Sequence, residues 1–221
     1  VHDVAKNLER MVQAIMIRTF AHQIVIDMAE HASIPIINGL TDYSHPCQAM
    51  ADYLTIQEKK KKLKGLKLCY VGDGNNVAHS LMFAGARLGV SVTIACPPGY
   101  EPNPSATQQA VGDAKATGAR IEVVQDPVEG VRNADVVYTD VWASMGQESE
   151  AEARKKIFLP YQVNRELMSK AKKDAIFMHC LPAHRGEEVT DEVIDSPQSV
   201  VFDEAENRLH AQKAIMYQLM K

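Results

Sequence analysis

"LKLCYVGDGNNVAHSLMFAGARLGVSVTIAC", residues 66–96, decides the fold. Two apolar, β-rich runs, 66–72 and 90–96, flank a segment at 77–89 that reads as a helix. Strand, helix, strand in so short a span predicts a βαβ unit, whose two strands lie parallel in one sheet. The same alternation continues outward. Downstream come a loop, "PPGYEPNP", and a helix over 105–118 closed by Gly118. Strands follow in "RIEVVQ", "DVVYTD" and "DAIFMHC", with a helix over 161–172 before the last. "SVVFDEAENRLHAQKAIMYQLM" then reads as a strand and a final helix. Upstream, a helix over 3–15 with Asp3 as N-cap precedes strands at 14–20 and 34–38 and helices at 22–32 and 45–60. Pro46 is tolerated in the first turn of the last of these. The fold class expected is α/β: doubly wound parallel sheets with helices on both faces. A break near 61–66, marked by Gly65 after the Lys59–Lys62 run, divides the chain into two domains, the first holding only two strands.

Composition narrows the function classes. The chain has 221 residues, 46% hydrophobic and 24% charged, enough for a packed core. A formal charge of −4 gives no electrostatic reason to expect nucleic acid or an anionic membrane as partner. No apolar run approaches the roughly 18–20 residues of a membrane span. The four cysteines, Cys47, Cys69, Cys96 and Cys180, are widely spaced, which favours a reducing, cytoplasmic setting. The opening residues lack an apolar signal region, and a complete amphipathic helix with no lead-in predicts a chain lacking its front.

In open parallel sheets ligands bind at the carboxyl ends of the strands. Five chemically loaded segments fall there: Arg18, "NGLTDYSHPCQ", "GDGNN", "TDVWASMGQE" and "HCLPAHRGEE". "GDGNNV" begins like a dinucleotide fingerprint, but Val77 stands where a third glycine is needed for close helix packing. Asn75 and Asn76 either offer amides to a ligand or cap the following helix. Asp140 can hold an ammonium group, while the Ser144–Met145–Gly146 turn offers backbone N–H groups to a carboxylate; an Asx turn is the plainer reading. His45 and Gln48, at a helix N-terminus, suit an anionic substrate, or His45 is merely a cap. Trp142 reads as a wall or core residue and Cys47 as packing. Arg18 and Arg208, both placed near strand ends, are candidate phosphate anchors. In "FMHCLPAHRGEEV", His179, Cys180 and His184 suggest either a metal site or a nucleophile. Pro182 and the loop's length argue against convergent ligands, and no oriented base is evident.

Taken in order, "NGLTDYSHPCQAMADYLTIQE", "VGDGNNVAHSL", "TDVWASMGQE", "FMHCLPAHRGEEV" and "FDEAENRLHAQKA" resemble ornithine carbamoyltransferases across essentially the whole chain. Among carbamoyltransferases, the Ser–Met–Gly and His–Cys–Leu–Pro turns single out this branch. The resemblance implies transfer of a carbamoyl group from carbamoyl phosphate to the side-chain amine of L-ornithine, giving L-citrulline and phosphate. It implies no metal, no cofactor, and a homotrimer or assembly of trimers. Arg18, His45, Gln48 and Arg208 would hold carbamoyl phosphate, with Cys180 and Leu181 closing over the reacting centre. Asn76, Asp140, Ser144 and Met145 would hold ornithine. Arg18, His45 and Cys180 would be the catalytic set.

The family's Ser-x-Arg-Thr-Arg phosphate motif has no counterpart here, the only Arg–Thr being Arg18–Thr19. The resemblance therefore implies an absent front on the order of a hundred residues, about one small domain. It divides the chain into residues 1–60, joined by the helix 204–221, as the remainder of a carbamoyl-phosphate domain, and 61–203 as an ornithine domain. The alternatives are a carbamoyltransferase for a related amine such as putrescine, and a non-catalytic amino-acid-binding fragment. A nucleotide-dependent dehydrogenase stands third.

Overall fold

The computed structural model describes residues 1–143 and 148–221. The first part runs α1 (His2–Leu8), β1 (Ile15–Arg18), α2 (His22–His31), β2 (Ile36–Leu40) and α3 (Pro46–Lys60). The second continues with β3 (Lys67–Val71), α4 (Asn76–Leu88), β4 (Ser91–Ala95), α5 (Pro104–Ala114), β5 (Ile121–Val124), α6 (Pro127–Val131) and β6 (Val136–Thr139). It closes with α7 (Ala151–Phe158), α8 (Arg165–Met168), β7 (Ile176–His179), α9 (Asp191–Ile194) and α10 (Val201–Leu219).

The opening βαβ reading holds. β3 and β4 pair in parallel, Lys67 with Ser91 through Val71 with Ala95, and α4 crosses between them. Asn75 caps α4 by accepting from the N–H groups of Val77 and Ala78, and Gly89 ends it with φ +75°. The larger sheet is all parallel, in the order β5-β4-β3-β6-β7; β1 and β2 form a separate parallel pair. Side chains alternate across the larger sheet, as a pleated strand requires. Leu68, Tyr70, Val92, Ile94, Tyr138 and Met178 pack with α3 and α4. Cys69, Val71, Val137 and Phe177 pack with α6, α8 and α9 on the other face. The α/β architecture with helices on both faces is thus as expected.

Several elements differ from expectation. α1 is short and begins after Val1, so Asp3 lies inside it rather than capping it. The apolar spacing that suggested a helix to residue 15 runs into β1, and Met11 is exposed. The helix expected over 105–118 ends at Ala114 and continues as turns to Gly118. Only Arg165–Met168 is α-helical in the expected 161–172 helix. "SVVF" is no strand: Ser199 makes one bridge to Phe177, and α10 has begun by Val201. Arg208 therefore lies within a helix, not near a strand end. α6, α7 and α9 have no counterpart among the elements expected from the sequence.

The final helix leaves the second part and returns to the first. It packs along α3, where Asn207 Nδ2 donates to Thr55 Oγ1 at 2.9 Å and to Glu58 at 2.8 Å. The two parts are also joined by His45 N–H to Ser80 Oγ, 2.7 Å, and by Tyr53 Oη to the Leu81 carbonyl, 2.7 Å. These bonds set the carboxyl ends of both sheets facing a common cleft.

Candidate active site between the two sheets

The cleft holds a cavity of about 540 Å³. Arg18, His45, Gln48 and Arg208 line one side; Asn75, Asn76, Asp140, Cys180 and Leu181 line the other. Eight of the ten residues implied by the family resemblance meet here. The other two, Ser144 and Met145, lie outside the described residues.

The first side is cationic. Arg18 ends β1, is exposed, and makes no ion pair among the described residues. His45 precedes α3 but does not cap it with its side chain; instead its ring is buried and its Nδ1 has no partner among the described residues. Burial, with Arg208 and Arg18 nearby, lowers the His45 pKa to about 4, so the ring is neutral at pH 7. Gln48 sits in the first turn of α3, fully buried, and its Oε1 accepts from Arg208 Nη1 at 2.6 Å. One helix-borne arginine is thereby aimed at the mouth of another helix's N-terminus, a setting that favours anions.

The second side is built at the switch point of the larger sheet, where strand order reverses between β3 and β6. Asp140 follows β6. Its Oδ2 accepts from Asn75 Nδ2 at 3.1 Å, and its Oδ1 accepts from the Cys180 thiol at 3.2 Å. Burial and then the Asp140 carboxylate hold the Cys180 pKa well above the ordinary thiol range. Cys180 is therefore a protonated donor beside a carboxylate, which is the wrong state for a nucleophile. Asn75 is both helix cap and Asp140 holder. Asn76, the residue assigned to ornithine, donates across the cleft to the Thr41 carbonyl at 2.6 Å.

The turn after β7 is braced from below. His179 is fully buried; its Nδ1 accepts from the Leu181 N–H at 2.9 Å. In the neutral ring Nε2 then carries the proton and donates to Glu188 at 3.2 Å. Asp140, His179 and Cys180 bring ligand atoms within 4.8 Å of one another. Each is already engaged: His179 on both nitrogens, Cys180 and Asp140 with each other. His184 is not in that group; it clusters with Glu187 and Glu188 instead.

The two glycines of "GDGNN" serve different ends: Gly72 takes φ +142°, and Gly74 serves packing. A Cβ on Gly74 would overlap the backbone of Glu101 and Pro102, whose loop folds over this turn. Val77, where the dinucleotide fingerprint has glycine, is buried in the core. Trp142 is buried against Phe158, and Cys47 is buried, both as expected. Sequence reasoning missed the Asp73–Arg154 pair. Arg154 Nη1 reaches Asp73 at 2.8 Å and the Trp142 carbonyl at 3.0 Å, tying α7 to the loops after β3 and β6.

This combination of paired parallel sheets, a cationic wall and an opposing Asp–Cys wall matches known proteins. Residues 1–58 match the family description "aspartate/ornithine carbamoyltransferase, carbamoyl-P binding domain", and residues 64–219 match the "Asp/Orn binding domain". The chain belongs to the aspartate/ornithine carbamoyltransferase family. Within it, the chain is 64% identical over 218 residues to the ornithine carbamoyltransferase of Thermococcus kodakarensis, covering 99% of this chain and 69% of that protein. The solved ornithine carbamoyltransferase of Pyrococcus furiosus superposes with a TM-score of 0.96 at 61% identity, covering 99% and 70%. That of Gloeobacter violaceus superposes with a TM-score of 0.94 at 49% identity, covering 100% and 74%.

Proposed function

We propose that this site transfers the carbamoyl group of carbamoyl phosphate to the side-chain amine of L-ornithine, yielding L-citrulline and phosphate. The observation that carries the reading is the convergence of Arg18, His45, Gln48 and Arg208 opposite Asp140 and Cys180 in one cavity. The arginines suit the phosphate dianion, Gln48 the carbamoyl amide, and His45 the carbonyl oxygen. Asp140 holds an ammonium group of the amino acid beside Asn76, and the resemblance assigns Ser144 and Met145 to the same substrate.

The chemical obstacle is the attacking amine, whose pKa in water is about 10.4, as for lysine. A closed, partly apolar cleft disfavours the ammonium form and so favours the free amine. Cys180 lies beside that amine and positions it against the carbamoyl carbon, while Asp140 holds the amino-acid head. Negative charge then grows on the carbonyl oxygen and the leaving phosphate, where the cationic wall already stands. The chain's own residues thus supply binding, orientation and electrostatics, and no covalent enzyme intermediate is needed.

The same reading makes residues 1–60 with residues 204–221 the carbamoyl-phosphate half and 61–203 the ornithine half. Family likeness favours a homotrimer or an assembly of trimers in the cytoplasm. No helix among the described residues is long and apolar enough to cross a membrane. The test is a citrulline assay on the chain joined to the Ser-x-Arg-Thr-Arg phosphate segment that the resemblance implies, with ornithine and putrescine as competing amines, alongside calorimetry with L-ornithine. Citrulline formation dependent on the α-carboxylate is expected. Preferred turnover of putrescine, or ornithine binding without turnover, would overturn the assignment.

A further inference from the structure

Beneath the cavity lie two carboxyl groups that the reaction so far leaves unused. Asp52 on α3 and Glu204 on α10 are both fully buried. They flank Gln48, whose Nε2 donates to Asp52 Oδ1 at 2.8 Å and to Glu204 Oε1 at 3.3 Å. Glu204 then reaches the other half of the molecule. Its Oε1 accepts from the Tyr138 hydroxyl at 3.0 Å, and its Oε2 accepts from the backbone N–H of His179 at 3.0 Å. His179 directly precedes Cys180, and Tyr138 lies two residues before Asp140. One carboxyl group therefore touches the residue assigned to the carbamoyl amide, the strand that carries Asp140 and the turn that carries Cys180.

The hydrogen-bond inventory of this cluster is short by one donor. Gln48 gives both its amide protons, Tyr138 and the His179 N–H give one each, and Arg208 binds the Gln48 carbonyl instead. Asp52 Oδ2 is left with no partner among the described residues. A buried acceptor without a donor is costly, and two adjacent ionised carboxylates in a dry interior repel strongly. A single proton between the carboxyl groups removes both penalties. We propose that Asp52 and Glu204 share one proton and act as a positioning pair, holding Gln48 and the Cys180 turn at a fixed separation across the cleft. The proposal rests on the carbamoyl-transfer reading of the cavity.

The surroundings agree. Gln48 faces the pair from α3, Tyr138 from β6, the His179 N–H from β7 and Arg208 from α10; Cys180 and Asp140 lie beyond. Burial raises the pKa of both carboxyl groups, and the Arg208 charge opposes this only at Asp52. Alkaline loss of the shared proton would put a second negative charge under Gln48, so turnover should fall there for a reason unrelated to the substrate amine.

Infrared spectra of the wild-type chain at neutral pH provide the direct test. A protonated-carboxyl C=O band is expected, and it should vanish in Glu204→Gln, where the new amide donates to an ionised Asp52. In citrulline assays, Glu204→Leu should lower kcat by about 100-fold and raise the carbamoyl-phosphate KM by about 10-fold. Glu204→Gln should recover kcat to within about 10-fold of wild type and lose the alkaline limb of the profile. Absence of the band from the wild type overturns proton sharing. Glu204→Leu with wild-type kcat and KM overturns positioning. If Glu204→Leu does not fold, the infrared band and the Glu204→Gln pH profile decide. If the wild type makes no citrulline, the carbamoyl-transfer reading fails while the infrared result still stands or falls by itself.

Discussion

The Cys180 thiol donates to Oδ1 of Asp140 at 3.2 Å, although the two residues are 40 positions apart. They meet because β6 and β7 are parallel neighbours, so both following loops leave the sheet at the same edge. The pair fixes where an amine can sit, and each member has its own expected effect on turnover.

Asp140→Ala removes the carboxylate that faces the amino-acid side of the cavity. A hydrogen bond to a charged group contributes about 1.5–3 kcal/mol, or roughly 10- to 150-fold in affinity. The ornithine KM should rise by that order while carbamoyl-phosphate binding stays nearly intact, because Arg18, His45, Gln48 and Arg208 are untouched. Separate titration of the two substrates checks this, and equal weakening of both would argue that Asp140 is only structural.

Cys180→Ser keeps a donor to Asp140 but shortens its reach and changes the polarity beside the amine. We expect kcat to fall by about 10-fold without being abolished. Because the Cys180 thiol is held in its protonated form by burial and Asp140, it should also alkylate more slowly at pH 8 than an ordinary exposed cysteine. Rapid-quench mass spectrometry showing a carbamoyl thioester would contradict both statements.

His45 adds a pH dependence of definite sign. Its folded pKa is lowered from 6.5 to about 4 by burial and the neighbouring arginines. The neutral ring therefore contributes stability that is present above the unfolded pKa and lost as pH falls through the folded one. Between about pH 6.5 and 4 this amounts to at most about 3 kcal/mol, at 1.36 kcal/mol per pKa unit. The difference in Tm between pH 7 and pH 4.5 should shrink in His45→Gln; an unchanged difference would place the acid sensitivity elsewhere.

What was legible in the sequence follows from the same geometry. Parallel strands put all their carboxyl ends at one edge, so the loops holding His45, Asn76, Asp140 and Cys180 could be grouped without knowing their distances. Arg208 could not be placed that way: its sequence setting suggested an anchor near a strand end, whereas it enters from the side of α10. Asp52 and Glu204 were invisible as a pair, because each is unremarkable on its own helix and they come together only when α10 returns to α3. α1 was read too long because the apolar spacing of its helix continues without interruption into β1. α7 buries only Arg154 and Phe158, too few apolar positions for a helical period to show, and the Arg154 partner Asp73 lies 81 residues away.

That Asp73–Arg154 contact supports the last prediction. Both side chains are nearly buried, and Arg154 also bonds Glu150 at 3.1 Å and the Trp142 carbonyl at 3.0 Å. Burial raises the Asp73 pKa, while the Arg154 charge pulls it back. Arg154→Met would leave Asp73 without its counter-charge and Trp142 without its donor. Removing one partner of a buried pair costs about 3–5 kcal/mol, whereas replacing both by well-packed neutral groups is often near neutral. Urea unfolding should therefore show Arg154→Met strongly destabilised and Asp73→Asn/Arg154→Met partly restored. Equal stability of the single and double variants would show that the guanidinium holds the Trp142 loop rather than the Asp73 charge.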